Sequence, residues 1–381
     1  MRRVYLDFNS TSPLDSRVLE AMTPFHTEFF ALPSSVSAWG RACEEAVEDA
    51  RGLVAQLLQA ESDEIVFTSG GTESCNLALF GATLGRFSTF PTEGHIVLTA
   101  MEHAAVWEAA TLLQKMGTQA TVVPADRNGL VDPDAVRRAI RPDTFLVSIT
   151  HASHETGTLQ PVREIGQICR ERDLLFHVDA CQTVGRLATH VETLEVDLLS
   201  LSGHKIHGPK GVGALFIRRG VPMNPWICGP PTESGVRPGM ENVPGIIGLG
   251  QAAAIAAQER ERVGAYQQEL RARLEAELLR SLGEDLTIYG AGVDRIPNTT
   301  YLTFGSVRAM EFVQRLPEVA MATGLGCGVM QDGLTVAQKA LGLDREQAKC
   351  AIRLSVGPDT TTEEIDFAVE RLLGAFESLR R

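Results

Sequence analysis

The chain has 381 residues, a formal net charge of −13 and 44% hydrophobic residues. That length suggests one large domain and a smaller one rather than a single small core. The negative charge argues against a general nucleic-acid binder, and no apolar run approaches the length that spans a bilayer. The start, Met1-Arg2-Arg3-Val4-Tyr5-Leu6-Asp7, lacks the apolar segment of a signal peptide, so a cytoplasmic protein is expected. None of the seven cysteines forms a CxxC pair, which leaves no zinc ribbon or dithiol motif. Cys43, Cys75, Cys169 and Cys350 read as buried small hydrophobes, and Cys181 and Cys228 as structural.

In chain order, Val4 to Leu6 reads as a short strand. A helix is expected over Asp15 to Phe30, with Asp15 as N-cap, and a second over Gly40 to Gln59, where Ala46, Ala50, Leu53, Val54, Leu57 and Leu58 recur at helical spacing. Strands and helices then alternate. The strands are Glu64 to Thr68, His95 to Thr99, Ala120 to Val123, Phe145 to Thr150 and Leu174 to Val178. The helices are Thr72 to Leu84, Val106 to Met116, Pro133 to Ile140 and Val162 to Arg172. Apolar runs at Val196 to Leu201 and Val212 to Ile217 add two more strands. Near-continuous apolar strands fit a sheet covered by helices on both faces, so an α/β fold with a doubly wound, mainly parallel sheet is predicted. A long helical pattern over Gly250 to Leu282 leads to a smaller α+β part: strand Thr299 to Phe304, a helix, a glycine-rich loop Gly324 to Gly333, helix Leu334 to Leu341, strand Ala351 to Val356 and helix Thr362 to Leu379. The division is placed at residues 13–255 for the large domain, with 1–12 and 256–381 forming the small one.

Ligands of such sheets bind beyond the carboxyl ends of the strands. At one such end, Thr68-Ser69-Gly70-Gly71-Thr72-Glu73 runs into a helix start, which is either a phosphate cradle or a tight turn. Thr99-Ala100-Met101-Glu102-His103 follows another strand, and His151-Ala152-Ser153-His154-Glu155 a third. His177-Val178-Asp179-Ala180-Cys181-Gln182 leaves a carboxylate at a strand end, where burial demands a cation: a protonated ring nitrogen or an arginine. Between two apolar strands, Ser202-Gly203-His204-Lys205 places a lysine that, once desolvated, can attack a carbonyl and form a Schiff base. Phosphate cradle, carboxylate and amine together fit pyridoxal phosphate. A metal-dependent hydrolase using His151, His154, His177 and Asp179 is a weaker alternative, because no further ligand has matching spacing.

These segments, with Gly208-Pro209-Lys210-Gly211-Val212-Gly213, Glu241-Asn242-Val243-Pro244-Gly245 and Tyr5-Leu6-Asp7, resemble the cysteine desulfurases, fold-type I pyridoxal-phosphate enzymes of the class V aminotransferase group. The resemblance runs from about residue 4 to residue 370. It implies a homodimer that converts L-cysteine to L-alanine and passes the sulfur, as a persulfide on Cys327, to an acceptor protein such as an iron–sulfur scaffold or a thiolation enzyme. It further implies that Lys205 carries the cofactor, His103 stacks on its ring and moves protons, Asp179 pairs with the ring nitrogen and Gln182 bonds the ring hydroxyl oxygen. Gly71, Thr72, Ser202 and His204 would hold the phosphate. Arg353, with Asn9 and His154, would contact the substrate, and His154 also the cofactor. The sequence departs from the family where His154 replaces an asparagine and Met240 a threonine. A carbon–sulfur or selenocysteine lyase that forms no persulfide is the alternative within this fold.

Overall fold

The computed structural model describes residues 2–88, 93–324 and 333–380. Seven strands form the large sheet: β1 (Ile65–Thr68), β2 (His95–Thr99), β3 (Gln119–Val123), β4 (Thr144–Thr150), β5 (Leu175–Asp179), β6 (Leu198–Ser202) and β7 (Gly213–Ile217). Their order across the sheet is β1-β7-β6-β5-β4-β2-β3, and only β7 runs against the rest. The mainly parallel α/β architecture is therefore as expected. Strand side chains alternate between two cores. Val97, Val147, Phe176 and Leu199 face one side, where Val54, Leu57 and Leu58 of helix α1 (Ala38–Leu58) cover them. Ile96, Leu98, Leu146 and Leu198 face the other, under Val106, Ala109 and Leu113 of helix α2 (Ala104–Lys115). Burial on both faces is why these strands read as unbroken apolar runs.

His177 sits in the middle of this sheet. Its Nδ1 is 2.7 Å from Ser148 Oγ and its Nε2 2.9 Å from Ser200 Oγ, on the two neighbouring strands. Burial lowers its pKa to about 4. Both nitrogens are engaged, which removes it from the hydrolase alternative.

A second sheet, β8 (Leu286–Tyr289), β9 (Thr299–Phe304), β10 (Ala322–Thr323) and β11 (Ala351–Ser355), is antiparallel in the order β10-β11-β9-β8. Helix α3 (Val243–Leu282) joins the two parts. Its first turns contribute Ile246, Leu249 and Ala253 to the large core, and its last turns Leu270, Leu274 and Leu278 to the small one. At about 1.5 Å per residue its 40 residues span both.

Several boundaries differ from the sequence reading. The segment after Asp15 forms two short helices, Ser16–Met22 and Pro24–Thr27, because Pro24 has no N–H to continue the first. Asp15 does cap, its carboxylate accepting the Arg17 N–H at 2.8 Å. The long helix begins at Val243 rather than Gly250, since Pro244 lies in the first turn, where its missing N–H costs nothing, and Asn242 caps it. The helix after β1 holds a π-helical stretch at Leu77–Gly81. Strand β8 and helix Arg345–Cys350 carry too short a pattern to have been read. Cys43, Cys75, Cys169 and Cys350 are buried as expected, but Cys228 is exposed. Among the described residues no helix is long and apolar enough to cross a membrane.

Candidate active site

The carboxyl ends of β4, β5 and β6 face β10 and β11 across a cavity of about 380 Å³. Asp179 is the last residue of β5, and its Oδ1 accepts the Cys181 N–H at 3.0 Å. Lys205 closes a single 3-10 turn, Gly203–Lys205, directly after β6, which fixes its stem against the sheet. Its Nζ donates to the backbone carbonyls of Asn9 and, at 3.0 Å, Ser10. Burial, with Arg186 and Arg353 close by, lowers its pKa to about 8, within reach of a neutral amine.

At one end the cavity opens into a recess lined by Thr11, Gly71, Thr72, Ser202, His204 and Lys210. Gly70, at φ +146°, turns the chain into a helix start that no side chain caps. A Cβ on Gly71 would lie 2.5 Å from Cys181 Sγ, so glycine lets this backbone approach the segment just after β5. Ser202 Oγ is buried with no partner among the described residues. Nδ1 of His204 lies 3.1 Å from Thr11 Oγ1, and burial brings its pKa to about 4, so the ring is neutral.

Two imidazoles form the roof. His103 caps α2: its Nδ1 accepts the Ala105 N–H at 3.1 Å, which assigns its own proton to Nε2. Its ring meets that of His154 edge-on, with centroids 5.1 Å apart. Burial lowers both pKa values, that of His154 further, with His103, Arg353 and Lys205 adding to the effect.

The facing wall comes from β11. Arg353 donates to Asp7 Oδ1 at 2.8 Å, to Ser10 Oγ at 2.7 Å and to the His154 carbonyl at 2.9 Å, while its Nε is buried without a partner. Asn9 lines the cavity, but its amide is engaged with Thr299 at 2.8 Å and Asn298 at 3.0 Å. What it offers the cavity is its carbonyl, which also accepts from Gln182 Nε2 at 3.2 Å. Every proposed site residue that lies among the described residues thus lines this cavity or its recess. Cys327 lies outside the described residues; Gly324, just before it, lines the cavity.

A profile of the class-V aminotransferases matches residues 4–367. A protein of Dictyoglomus turgidum named cysteine desulfurase IscS is 41% identical over 382 residues, covering all of this chain and 96% of its own. The cysteine desulfurase IscS 1 of Archaeoglobus fulgidus is 38% identical, covering 99% of this chain and 97% of its own. A solved NifS-like protein superposes with a TM-score of 0.91 at 36% identity, over 99% of this chain and all of its own. SspA, solved in complex with cysteine, gives 0.81 at 31% identity, over 94% of this chain and all of its own. The chain belongs to the cysteine desulfurases of the class-V aminotransferase family.

This desulfurase therefore depends on pyridoxal phosphate, and its residues fit that group. An unpartnered buried hydroxyl on Ser202 beside an uncapped helix start suits a phosphate. A buried carboxylate on Asp179 suits a protonated ring nitrogen, and a half-buried amine on Lys205 suits an aldehyde. The sequence did not single out Glu155, Asp7, Tyr301 or the cavity thiols Cys75 and Cys181 as site residues. Glu155 is adjacent to His154 in the sequence, but nothing local signals its burial, and Asp7 meets Arg353 only through a contact 346 residues apart.

Proposed function

We propose that the chain converts L-cysteine to L-alanine while a thiol of its own, Cys327, takes the sulfur as a persulfide for delivery to an acceptor protein. The observation that carries this reading is the convergence of Lys205, Asp179 and the unpartnered Ser202 hydroxyl on one cavity. Bound there, pyridoxal phosphate supplies an aldehyde for amines and a ring that draws electrons from the bonds at the substrate's Cα.

The protein's own groups do the rest. Gly71, Thr72, Ser202 and His204 would hold the phosphate, Asp179 would keep the ring nitrogen protonated, and Gln182 would bond the ring oxygen. Lys205 would hold the cofactor through its amine, which would also carry protons. His103, with its proton on Nε2, would lie against the ring and donate. Arg353 exchanges its bonds to Asp7 and Ser10 for the substrate carboxylate, which its fork matches. His154 borders both cofactor and substrate. The sulfur moves from the substrate's Cβ to Cys327, and a hydrogen takes its place on Cβ, so no outside oxidant or reductant is needed.

A homodimer is supported by exposed apolar side chains that a partner would cover: Phe30 (70% exposed), Val36 (90%), Trp39 and Met240. The boundary between large and small parts is placed near residue 255, inside α3. A cytoplasmic location accords with the six described cysteines, all of them free. The test is mass spectrometry of the protein after incubation with L-cysteine. One added sulfur at Cys327 is expected. Sulfide and alanine formed at full rate by Cys327→Ala would instead make it a lyase without a persulfide.

A further inference from the structure

Among the described residues, three side chains in the cavity keep a buried polar atom without a partner beyond the recess: His154 at Nδ1, Glu155 at Oε2 and Arg353 at Nε. The first two belong together. Glu155 Oε1 accepts the Thr335 hydroxyl at 2.9 Å and lies 3.9 Å from His154 Nε2. The carboxylate thus faces one ring nitrogen, and the other, Nδ1, is buried without a hydrogen-bond partner in a residue that lines the cavity. Apo distances of this kind commonly shorten when substrate binds.

We propose that His154 and Glu155 form a second imidazole–carboxylate dyad, in which Glu155 fixes the His154 proton on Nε2 and leaves Nδ1 to accept the thiol proton of the bound L-cysteine. The inference rests on the desulfurase reading and adds to it the acceptor for that proton. The dyad stands beside His103, whose Nδ1 accepts the Ala105 N–H and whose ring meets that of His154 edge-on with centroids 5.1 Å apart. In the step, the S–H bond breaks, its electron pair stays on sulfur and the proton passes to Nδ1. The proton is returned to Cβ when the Cβ–S bond gives way to the Cβ–H of alanine and the sulfur bonds the enzyme thiol's sulfur, whose own proton passes to the outer sulfur of the persulfide. Atoms and electrons balance within substrate and protein. Glu155 acts through His154, so it is a positioning residue.

The pH dependence follows from the surroundings. Burial raises the Glu155 pKa to about 7, with the Thr335 hydroxyl and Arg353 opposing. His154 is held neutral by burial and by His103, Arg353 and Lys205. Tyr301 also faces Glu155, its phenol protonated, and Asp7 offsets Arg353. The dyad is therefore complete only once Glu155 ionises, on the alkaline side of about pH 7.

The test follows alanine formation by the holoenzyme across this pH range, with histidine ¹⁵N spectra of the same samples. Wild-type kcat is expected to rise through neutrality. Glu155→Gln should lower kcat about 10²-fold and remove that limb. Glu155→Asp should restore part of it, and Glu155→Gln with His154→Asn should fall no further than His154→Asn alone. The spectra should place the His154 proton on Nε2, with Glu155→Gln mixing the tautomers. An unchanged limb in Glu155→Gln, additive losses in the double variant, or a proton on Nδ1 overturns the dyad. If the wild type makes no alanine, the desulfurase reading fails, and the nitrogen spectra alone then decide the dyad.

Discussion

The two walls of the cavity are built on opposite terms. On the large-sheet side, groups stand ready and incomplete: Ser202 Oγ has no partner, the helix start at Gly71 has no side-chain cap, and Asp179 accepts one backbone N–H. On the small-sheet side, groups are mostly occupied: Arg353 makes three hydrogen bonds and leaves only its Nε unpaired, and the Asn9 amide is held by Thr299 and Asn298. Buried unpaired polar atoms cost stability, so the first wall is maintained for a ligand that stays. On the second wall the Arg353 guanidinium is already bonded to Asp7 and Ser10, so under the proposed function a substrate carboxylate would exchange with those contacts.

Lys205→Ala breaks this contrast most severely. The variant should lose both the yellow absorbance of the bound cofactor and all alanine formation; retained absorbance would remove Lys205 from its role. Arg353→Ala comes next. Losing a paired charge from the substrate side should cost about 3 kcal/mol, roughly 10²-fold in kcat/KM, with the absorbance unchanged. If instead the cofactor is lost, the walls are not separable. Ser202→Ala sharpens the cofactor side. One hydrogen bond of about 1 kcal/mol should weaken cofactor binding roughly 5-fold by equilibrium titration, leaving the KM for L-cysteine unaltered.

Two smaller effects are read from pH. Because Lys205 is lowered to about 8, the rate at which apoprotein takes up the cofactor should climb to about that pH and then level, rather than climb toward the ordinary lysine range. Stopped absorbance traces check this. Burial raises the Glu102 pKa to about 8, although the Thr99 hydroxyl and the Thr150 N–H bond the carboxylate. The folded state thus holds a proton that the unfolded chain releases above its ordinary value near 4.5. Stability from this group is full below that value and fades as pH rises to about 8. Glu102→Gln should flatten the fall in Tm across that interval.

Local pattern carried much of the molecule. The strand ends gave Asp179, Ser202 and Lys205 their places, because a parallel sheet sends consecutive carboxyl ends to one edge. The boundaries were harder: Pro24 split one helix, and Pro244 sits in the first turn of another that was expected to begin only at Gly250. A proline's effect depends on whether its turn is the first of a helix, which neighbours alone do not announce.

The sequence by itself determined the alternation of buried strands and helices and the residue types set at the strand ends, since periodicity and turn chemistry act over a few residues. Only the tertiary structure decided that Asp7 holds Arg353, that Asn9 turns its amide away to Thr299 and Asn298, and that His154 lies between His103 and Glu155. Those outcomes depend on how two separate cores dock along one long helix. The chain separations involved, up to 346 residues, lie beyond any local pattern.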